Sequence, residues 1–171
     1  MQAPVRHFLR PRLTALAPST AEVVRRAGGW LFDQVMAGWD VTVVTADHDD
    51  QRALQILGVR GRDLETVLAA PVAGPCLQAV ALPADLYDAD ERVRRMVRSA
   101  TESGRAEVRL WGEAWPADFD CGADSVSHQL SLAARAFKTQ ALAAADVHAE
   151  AADTEVFRRG EIRRVGLVSA R

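Results

Sequence analysis

The sequence has few of the features that mark extracellular or membrane proteins. It contains two cysteines, Cys76 and Cys121, which are far apart and match no zinc-binding spacing. No stretch approaches the roughly 20 consecutive apolar residues that a membrane-spanning helix needs. The first residues also lack the apolar run of a signal peptide. We therefore expect a protein without a disulfide framework, located in the cytoplasm.

Lysine and net charge are also scarce. Lys138 is the only lysine among the 21 basic residues, and the net charge of the 171-residue chain is −2. A composition this rich in arginine and alanine is typical of a GC-rich bacterial genome. Because the net charge is small, we expect no strong attraction to nucleic acid or to an anionic membrane.

Motifs that would identify a reaction are absent from the sequence. Gly28-Gly29 lies within a helical pattern rather than after a strand, so it forms neither a P-loop nor a dinucleotide-binding fingerprint. No Gly-x-Ser-x-Gly nucleophile elbow occurs. No cofactor is predicted from these patterns, with Mg²⁺ as the open alternative, and the sequence does not decide whether the chain is an enzyme.

The positive signal is an alternation of helix and strand patterns. An amphipathic helix pattern follows a cap at Ser19 or Thr20. The short apolar runs at 41–44 and 77–82 are typical of buried parallel strands, and the alternating run at 106–110 is typical of a strand with one exposed face. The prediction is an α/β three-layer sandwich with a small, mostly parallel sheet of three to four strands in a flavodoxin-like or Rossmann-like order, preceded by the amphipathic helix.

The chain divides into three predicted parts. Residues 1–18 are predicted to form an irregular N-terminal arm, because prolines recur there, and residues 19–150 a single α/β domain. Residues 151–171 are predicted to form a C-terminal basic segment, which is either a hairpin or a frayed helix. The longest helix is predicted to start at Asp124 or Ser125.

Acidic residues follow the first predicted strand. Asp47, His48, Asp49 and Asp50 come directly after it, and Asp85 follows the strand at 77–82. In open α/β sheets, ligands bind beyond the carboxyl ends of the strands. Asp47, His48 and Asp85 are therefore candidates to bind a small ligand or a hard cation such as Mg²⁺. The alternative is that Asp49 or Asp50 caps the next helix.

By element order alone, residues from about 40 to 112 resemble, loosely, the bacterial response-regulator receiver domain. The resemblance implies an acidic pair after the first strand, at Asp47 here, and a phosphoacceptor at Asp85. The sequence departs from that family because Asp85 follows Pro83-Ala84 and because Trp111-Gly112 stands where the family has Thr or Ser. These departures favour an inactive, receiver-like module.

Two groups of residues are candidates for interaction with a protein. Trp111 and Trp115 belong to the loop after the strand at 106–110, and tryptophan and arginine are enriched at the energetic centres of interfaces. The arginine candidates share one helix: Arg94, Arg95 and Arg98. The alternative is that the indole rings pack over the edge of the core and that the arginines form a solvated face.

Two functions are consistent with these patterns. The first is a non-catalytic bacterial module for protein–protein interaction or regulation, which binds a protein partner or a second copy of itself. It follows from the missing catalytic motifs. The alternative is an enzyme domain that binds a small ligand or a metal at an acidic site on the carboxyl ends of the strands.

Overall fold

The computed structural model describes residues 10–47, 51–70, 77–102, 106–119 and 124–162. Seven strands and six helices occur in this part of the chain. In order they are β1 Arg12–Ala17, α1 Thr20–Met36, β2 Asp40–Thr45, α2 Gln51–Ile56, β3 Arg60–Asp63, α3 Leu64–Ala69, β4 Ala79–Pro83, α4 Ala84–Ala89, α5 Glu91–Glu102, β5 Glu107–Trp111, β6 Asp124–Gln129, α6 Leu132–Ala144 and β7 Thr154–Gly160. Within these ranges, no helix has both the length and the apolar character needed to cross a membrane.

The strands form one mixed sheet with the order β3-β2-β1-β4-β5-β7-β6. The first five strands in this order are mutually parallel, and β7 runs antiparallel to both of its neighbours, β5 and β6. The predicted α/β class is confirmed, whereas the predicted sheet of three to four strands is too small. The sequence interpretation missed the central strand β1 and the antiparallel strands β6 and β7.

Helices cover both faces of this sheet. Successive residues of a strand point to opposite faces, as Val43 and Val44 of β2 illustrate. Val43 belongs to the core shared with α1, α2 and α6, and Val44 to the core shared with α3, α4 and α5. Strands that are covered on both faces are apolar along most of their length, so the chain has one hydrophobic core on each side of the sheet.

The central strand β1 occupies part of the segment that was predicted to be an irregular arm. Residues 13–17 are all buried, and β1 pairs with β2 on one side and β4 on the other. Pro11 and Pro18 flank the strand instead of interrupting it, and proline is tolerated at such positions. The predicted arm is therefore wrong for residues 12–17, while residues 1–9 lie outside the described ranges.

The longest predicted helix starts later than the sequence suggested. Asp124 and Ser125 belong to strand β6, which pairs along its whole length with β7. Helix α6 follows only after Ser131, whose Oγ accepts a hydrogen bond from the backbone N–H of Ala134 at 3.0 Å. The segment is a strand because it pairs with β7, which lies beyond α6 in the sequence. The described part of the C-terminal segment is thus a strand of the main sheet, and residues 163–171 lie outside the described ranges.

The only lysine of the chain is buried in an ion pair. Nζ of Lys138 lies 2.5 Å from Oε1 of Glu155, and the two side chains are 3% and 2% exposed. Burial raises the pKa of Glu155, while Lys138 and two backbone N–H donors act in the opposite direction. Such a pair is stable in a core only when its remaining hydrogen-bonding groups also find partners.

The middle of α1 supplies those partners. The Glu155 carboxylate accepts hydrogen bonds from the backbone N–H groups of Gly29 and Trp30, at 2.9 and 2.7 Å. Nζ of Lys138 donates to the carbonyl of Arg25 at 2.8 Å. In an ideal α-helix the N–H of Gly29 would bond the carbonyl of Arg25, so the ion pair provides additional partners for both groups. This contact ties α6 and β7 to the centre of α1.

Two glycines in the middle of α1 differ in their surroundings. The helix continues through Gly28 and Gly29. A Cβ atom at Gly29 would overlap the side chain of buried Leu130, whereas a Cβ at Gly28 would meet Leu57 Cδ1 at an ordinary 3.4 Å. Leu130 therefore packs closely against the backbone of α1 at Gly29.

We expect Lys138→Met to lower the free energy of unfolding by about 3–5 kcal/mol, because it leaves the Glu155 carboxylate buried without its counter-ion. Urea denaturation measures the loss. Arg135→Met is the matched control on the same helix, since Arg135 pairs with Asp153 at the surface, where both side chains are well exposed. That control should cost less than about 1 kcal/mol. Equal losses in the two variants would contradict a special role for the buried pair.

We expect opposite effects from alanine at the two glycines of α1. Gly29→Ala should destabilise the protein by about 1–3 kcal/mol, since Leu130 has to move. Gly28→Ala should stabilise it by up to about 1 kcal/mol, because alanine favours the helix and its Cβ meets its neighbours only at ordinary contact distances. Thermal unfolding of the two variants measures both effects, and a stabilised Gly29→Ala variant would refute the close contact.

Candidate functional site

The carboxyl ends of the parallel strands lie at one edge of the sheet. β1, β2, β4 and β5 all end there, and each is followed by a turn or a helix start. In open α/β sheets this edge is where ligands bind. The polar groups at the ends of these four strands therefore define the candidate site.

Asp47 follows β2 and binds the start of α1. Its Oδ1 accepts hydrogen bonds from the backbone N–H and from Oγ1 of Thr20, at 2.9 and 3.0 Å. Thr45, at the end of β2, donates its hydroxyl to the backbone carbonyl of Asp47 at 2.9 Å, and Thr20 and Thr45 are both buried. A carboxylate is favoured at a helix N-terminus by the helix dipole, so Asp47 stabilises the beginning of α1.

The first turn of α1 also contains a carboxylate of its own, that of Glu22. Nε1 of Trp111 donates a hydrogen bond to Oε1 of Glu22 at 2.9 Å, and Trp111 is only 3% exposed. Thr20 and Glu22 are two residues apart in a helix, so they point about 200° apart around its axis. Thr20 contacts Asp47 after β2, and Glu22 contacts Trp111 at the end of β5. The two carboxylates therefore lie on opposite sides of the start of α1.

Glu22 is a site residue that the sequence interpretation missed. Ser19 caps α1, with its Oγ accepting a hydrogen bond from the N–H of Glu22 at 3.2 Å, as the capping pattern predicts. That pattern was interpreted only as a helix start. Had the buried run at 13–17 been recognised as a strand, Glu22 would have been placed just beyond its carboxyl end, on the same edge of the sheet as Asp47.

Asp85 and Asp47 do not follow neighbouring strands. β1 lies between β2, which precedes Asp47, and β4, which precedes Asp85. Two strand spacings correspond to about 10 Å. Asp85 is exposed in the first turn of α4. The candidate His48, together with Asp49 and Asp50, lies outside the described residues, so its predicted role as a ligand stays a prediction.

The same strand order removes the basis of the receiver-domain resemblance. That comparison took β2 as the first strand and β4 as the third. Because β1 precedes them, Asp47 follows the second parallel strand and Asp85 follows the fourth strand in the chain. The acidic residues therefore do not occupy the positions that the resemblance implied.

Trp111 and Trp115 both pack against the protein itself. Trp111 is buried, and the ring of Trp115 lies 5.6 Å from that of Phe119 in an edge-to-face contact. The guanidinium of Arg158 lies 5.8 Å from the centre of the Trp115 ring. These contacts match the alternative that the rings cover the edge of the core.

Two of the three candidate arginines are bound within the chain. Arg94 donates to Glu91 and to the carbonyl of Asp88, both at 2.6 Å. Arg98 donates to Asp118 at 2.6 Å, while Arg95 is exposed. A role for any of them in binding a partner stays a prediction.

Arg98 and Asp118 are part of a small polar cluster beneath the loop that follows β5. The hydroxyl of Tyr87 donates to Oδ2 of Asp118 at 3.3 Å, beside the bond from Arg98. Burial raises the pKa of Tyr87, and the neighbouring Arg98 guanidinium opposes that shift. The phenol therefore stays neutral and joins α4 to the loop.

A second polar cluster lies nearer the other end of α1. Asp33 accepts hydrogen bonds from Nε2 of His128 at 2.8 Å and from Oγ of Ser131 at 2.6 Å. Burial alone would raise the pKa of Asp33, but these hydrogen bonds outweigh it and lower the pKa. A serine nucleophile needs its hydroxyl on the histidine, whereas His128 and Ser131 both bind the aspartate. This cluster therefore joins α1, β6 and α6 and does not form a catalytic triad.

The described residues do not fit a zinc centre. Zinc in proteins is bound by three or four histidine, cysteine or carboxylate groups. In the described ranges, no three such side chains converge. Oδ1 of Asp47 and Oε1 of Glu22 are also already occupied by hydrogen bonds. Mg²⁺ at Asp47, His48 and Asp85 stays a prediction, because His48 lies outside the described residues.

Comparison with solved structures relates the whole fold to a group of enzymes. A triple mutant of a deacetylase (Orf2*T) involved in teicoplanin biosynthesis matches with a TM-score of 0.64 and 15% identity, over 91% of this chain and 100% of that chain. The zinc-inhibited form of teicoplanin deacetylase Orf2 matches with a TM-score of 0.63, 15% identity and the same shares of the two chains. The A40926 pseudoaglycone deacetylase Dbv21 matches with a TM-score of 0.63 and 14% identity, over 92% of this chain and 100% of that chain. The chain therefore shares the fold of these deacetylases.

In comparisons of sequence, no protein-family model and no curated protein matches the chain. With identities near 15%, the fold is recognisable only from its geometry.

The deacetylase fold corrects the main functional prediction. A non-catalytic module for protein–protein interaction or regulation was expected because catalytic motifs are missing. Instead, the fold of known enzymes extends over nine-tenths of this chain and over the full length of those enzymes. The alternative, an enzyme domain with an acidic site at the strand ends, is the better supported of the two.

We expect Asp47 and Asp85 to differ in their contribution to stability. Asp47→Ala should lower the free energy of unfolding by about 1–2 kcal/mol, since it removes an acceptor from buried Thr20 at the start of α1. Asp85→Ala, on the same edge but exposed, should change it by less than about 0.5 kcal/mol. Urea denaturation of both variants measures the difference, and equal effects would contradict the structural role of Asp47.

Proposed function

We propose that this chain is an enzyme domain that binds a small acylated amine at the carboxyl edge of β1, β2, β4 and β5 and removes the acyl group by hydrolysis. The observation that carries the proposal is the match to deacetylases over nearly the whole of this chain and the full length of theirs. The two carboxylates at the start of α1 lie at the edge where this class of sheet binds ligands, which supports the same site.

Glu22 is the proposed general base. Its Oε1 is held by Trp111, and no described residue donates to Oε2. Oε2 takes a proton from water as the water oxygen bonds to the acyl carbon. The carbon–nitrogen bond then breaks, and the proton passes from Glu22 to the leaving nitrogen. The products are a carboxylic acid and an amine.

Asp47 has a supporting role in this proposal. It fixes the first turn of α1 through Thr20, and so it fixes the backbone from which Glu22 extends. The negative charges of Asp47 and Glu22 also favour a positively charged amine product over an anion at this edge. Neither role requires a bound metal.

The proposal is tested by release of free amine from a panel of small N-acetylated amines, with and without added Zn²⁺. We expect turnover by the wild type and a loss of at least about 100-fold in Glu22→Gln, which is the lower end of what a general base contributes. Asp85→Asn, an exposed acid on the same edge, should keep the wild-type rate. A ligand at 100 times its Kd should also stabilise the protein by about 2.7 kcal/mol in thermal unfolding.

Two results would contradict the proposal. If no member of the panel releases amine under either condition and none stabilises the protein, the chain is not a deacylase. Equal turnover in Glu22→Gln and the wild type would instead reject Glu22 as the base.

A further inference from the structure

Trp111 connects two distant parts of the candidate site. It is the last residue of β5 and is paired with Pro83 in β4. Glu22 belongs to the turn that follows β1, and β4 lies between β1 and β5 in the sheet. The 2.9 Å hydrogen bond from Nε1 of Trp111 to Oε1 of Glu22 therefore connects the ends of two strands that are separated by β4.

We propose that Trp111 is a positioning residue for Glu22, an inference that rests on the proposed function. A glutamate side chain on a helix surface has several rotatable bonds, and ordering it costs entropy. The indole is almost fully buried and cannot move without repacking the end of β5. Its N–H occupies Oε1, so Oε2 becomes the oxygen that is free to take a proton. The indole thus selects one orientation of the base before the ligand arrives.

Comparison with another tryptophan of the chain separates this role from packing. Trp30 is as deeply buried as Trp111, at 1% exposed, yet no described residue accepts a hydrogen bond from its Nε1. Trp111 donates to a carboxylate, and a hydrogen bond to a charged group is shorter and stronger than a neutral one. Both rings are buried, but only the Trp111 N–H donates to Glu22.

The test replaces the indole N–H while keeping the shape of the ring. Site-specific incorporation of 3-benzothienylalanine, which has sulfur in place of the N–H group, is made at Trp111 and, as the matched control, at Trp30. We expect the change at Trp111 to lower kcat for the best N-acetylated amine by about 10- to 100-fold, with KM changed less than about twofold. The change at Trp30 should leave kcat within about twofold.

A second measurement does not depend on turnover. In protein labelled with ¹⁵N at tryptophan, Glu22→Gln should shift the indole N–H resonance of Trp111 and leave that of Trp30 in place. A shift together with the selective loss of kcat supports the inference.

The remaining outcomes separate this inference from the proposed function. Normal kcat in the Trp111 analogue, in a protein that does release amine, overturns the positioning role alone. If the wild type releases no amine but the indole resonance still responds to Glu22→Gln, the proposed function fails. The bond is then purely structural, which also overturns the inference.

Discussion

The buried contact between Lys138 and Glu155 holds together the parts of the molecule on which the site depends. Two charges in a core are costly, and here the backbone of α1 offsets that cost. The carbonyl of Arg25 and the N–H groups of Gly29 and Trp30 complete the hydrogen bonds of the pair. The contact joins α6 and β7 to the middle of α1. Since α1 begins at the carboxyl edge of the sheet, the same contact fixes the helix that carries the candidate base.

At that edge, the groups of the proposed site also stabilise the fold. Asp47 holds the first turn of α1 through Thr20, and Trp111 reaches across β4 to hold Glu22. The fold is that of deacetylases, and it covers nearly all of this chain. The described residues nevertheless lack the three converging ligands of a zinc centre. The oriented carboxylate of Glu22 is therefore the group around which the proposed hydrolysis is built.

Several elements were predictable because their signals are local. The apolar run of β2 and the capped, amphipathic pattern of α1 need no knowledge of distant residues. β1 was missed because two prolines flank a short apolar run, and β6 because its polar alternation has meaning only beside β7. For the candidate site, Asp47 was proposed from its place after a strand. Glu22 was not proposed, because the strand before it had not been recognised.

The sequence by itself determined the α/β class and placed the start of α1 at Ser19 or Thr20, since periodicity and capping act over a few residues. Only the tertiary structure decided which acids share the site. Strand order is set by pairing between segments far apart in the chain, and it places β1 between β2 and β4. That order moves Asp85 away from Asp47 and brings Trp111 to Glu22. The pairing of Lys138 with Glu155 also depends on the tertiary structure. A charged side chain is stable in a core only where folding brings an opposite charge to it.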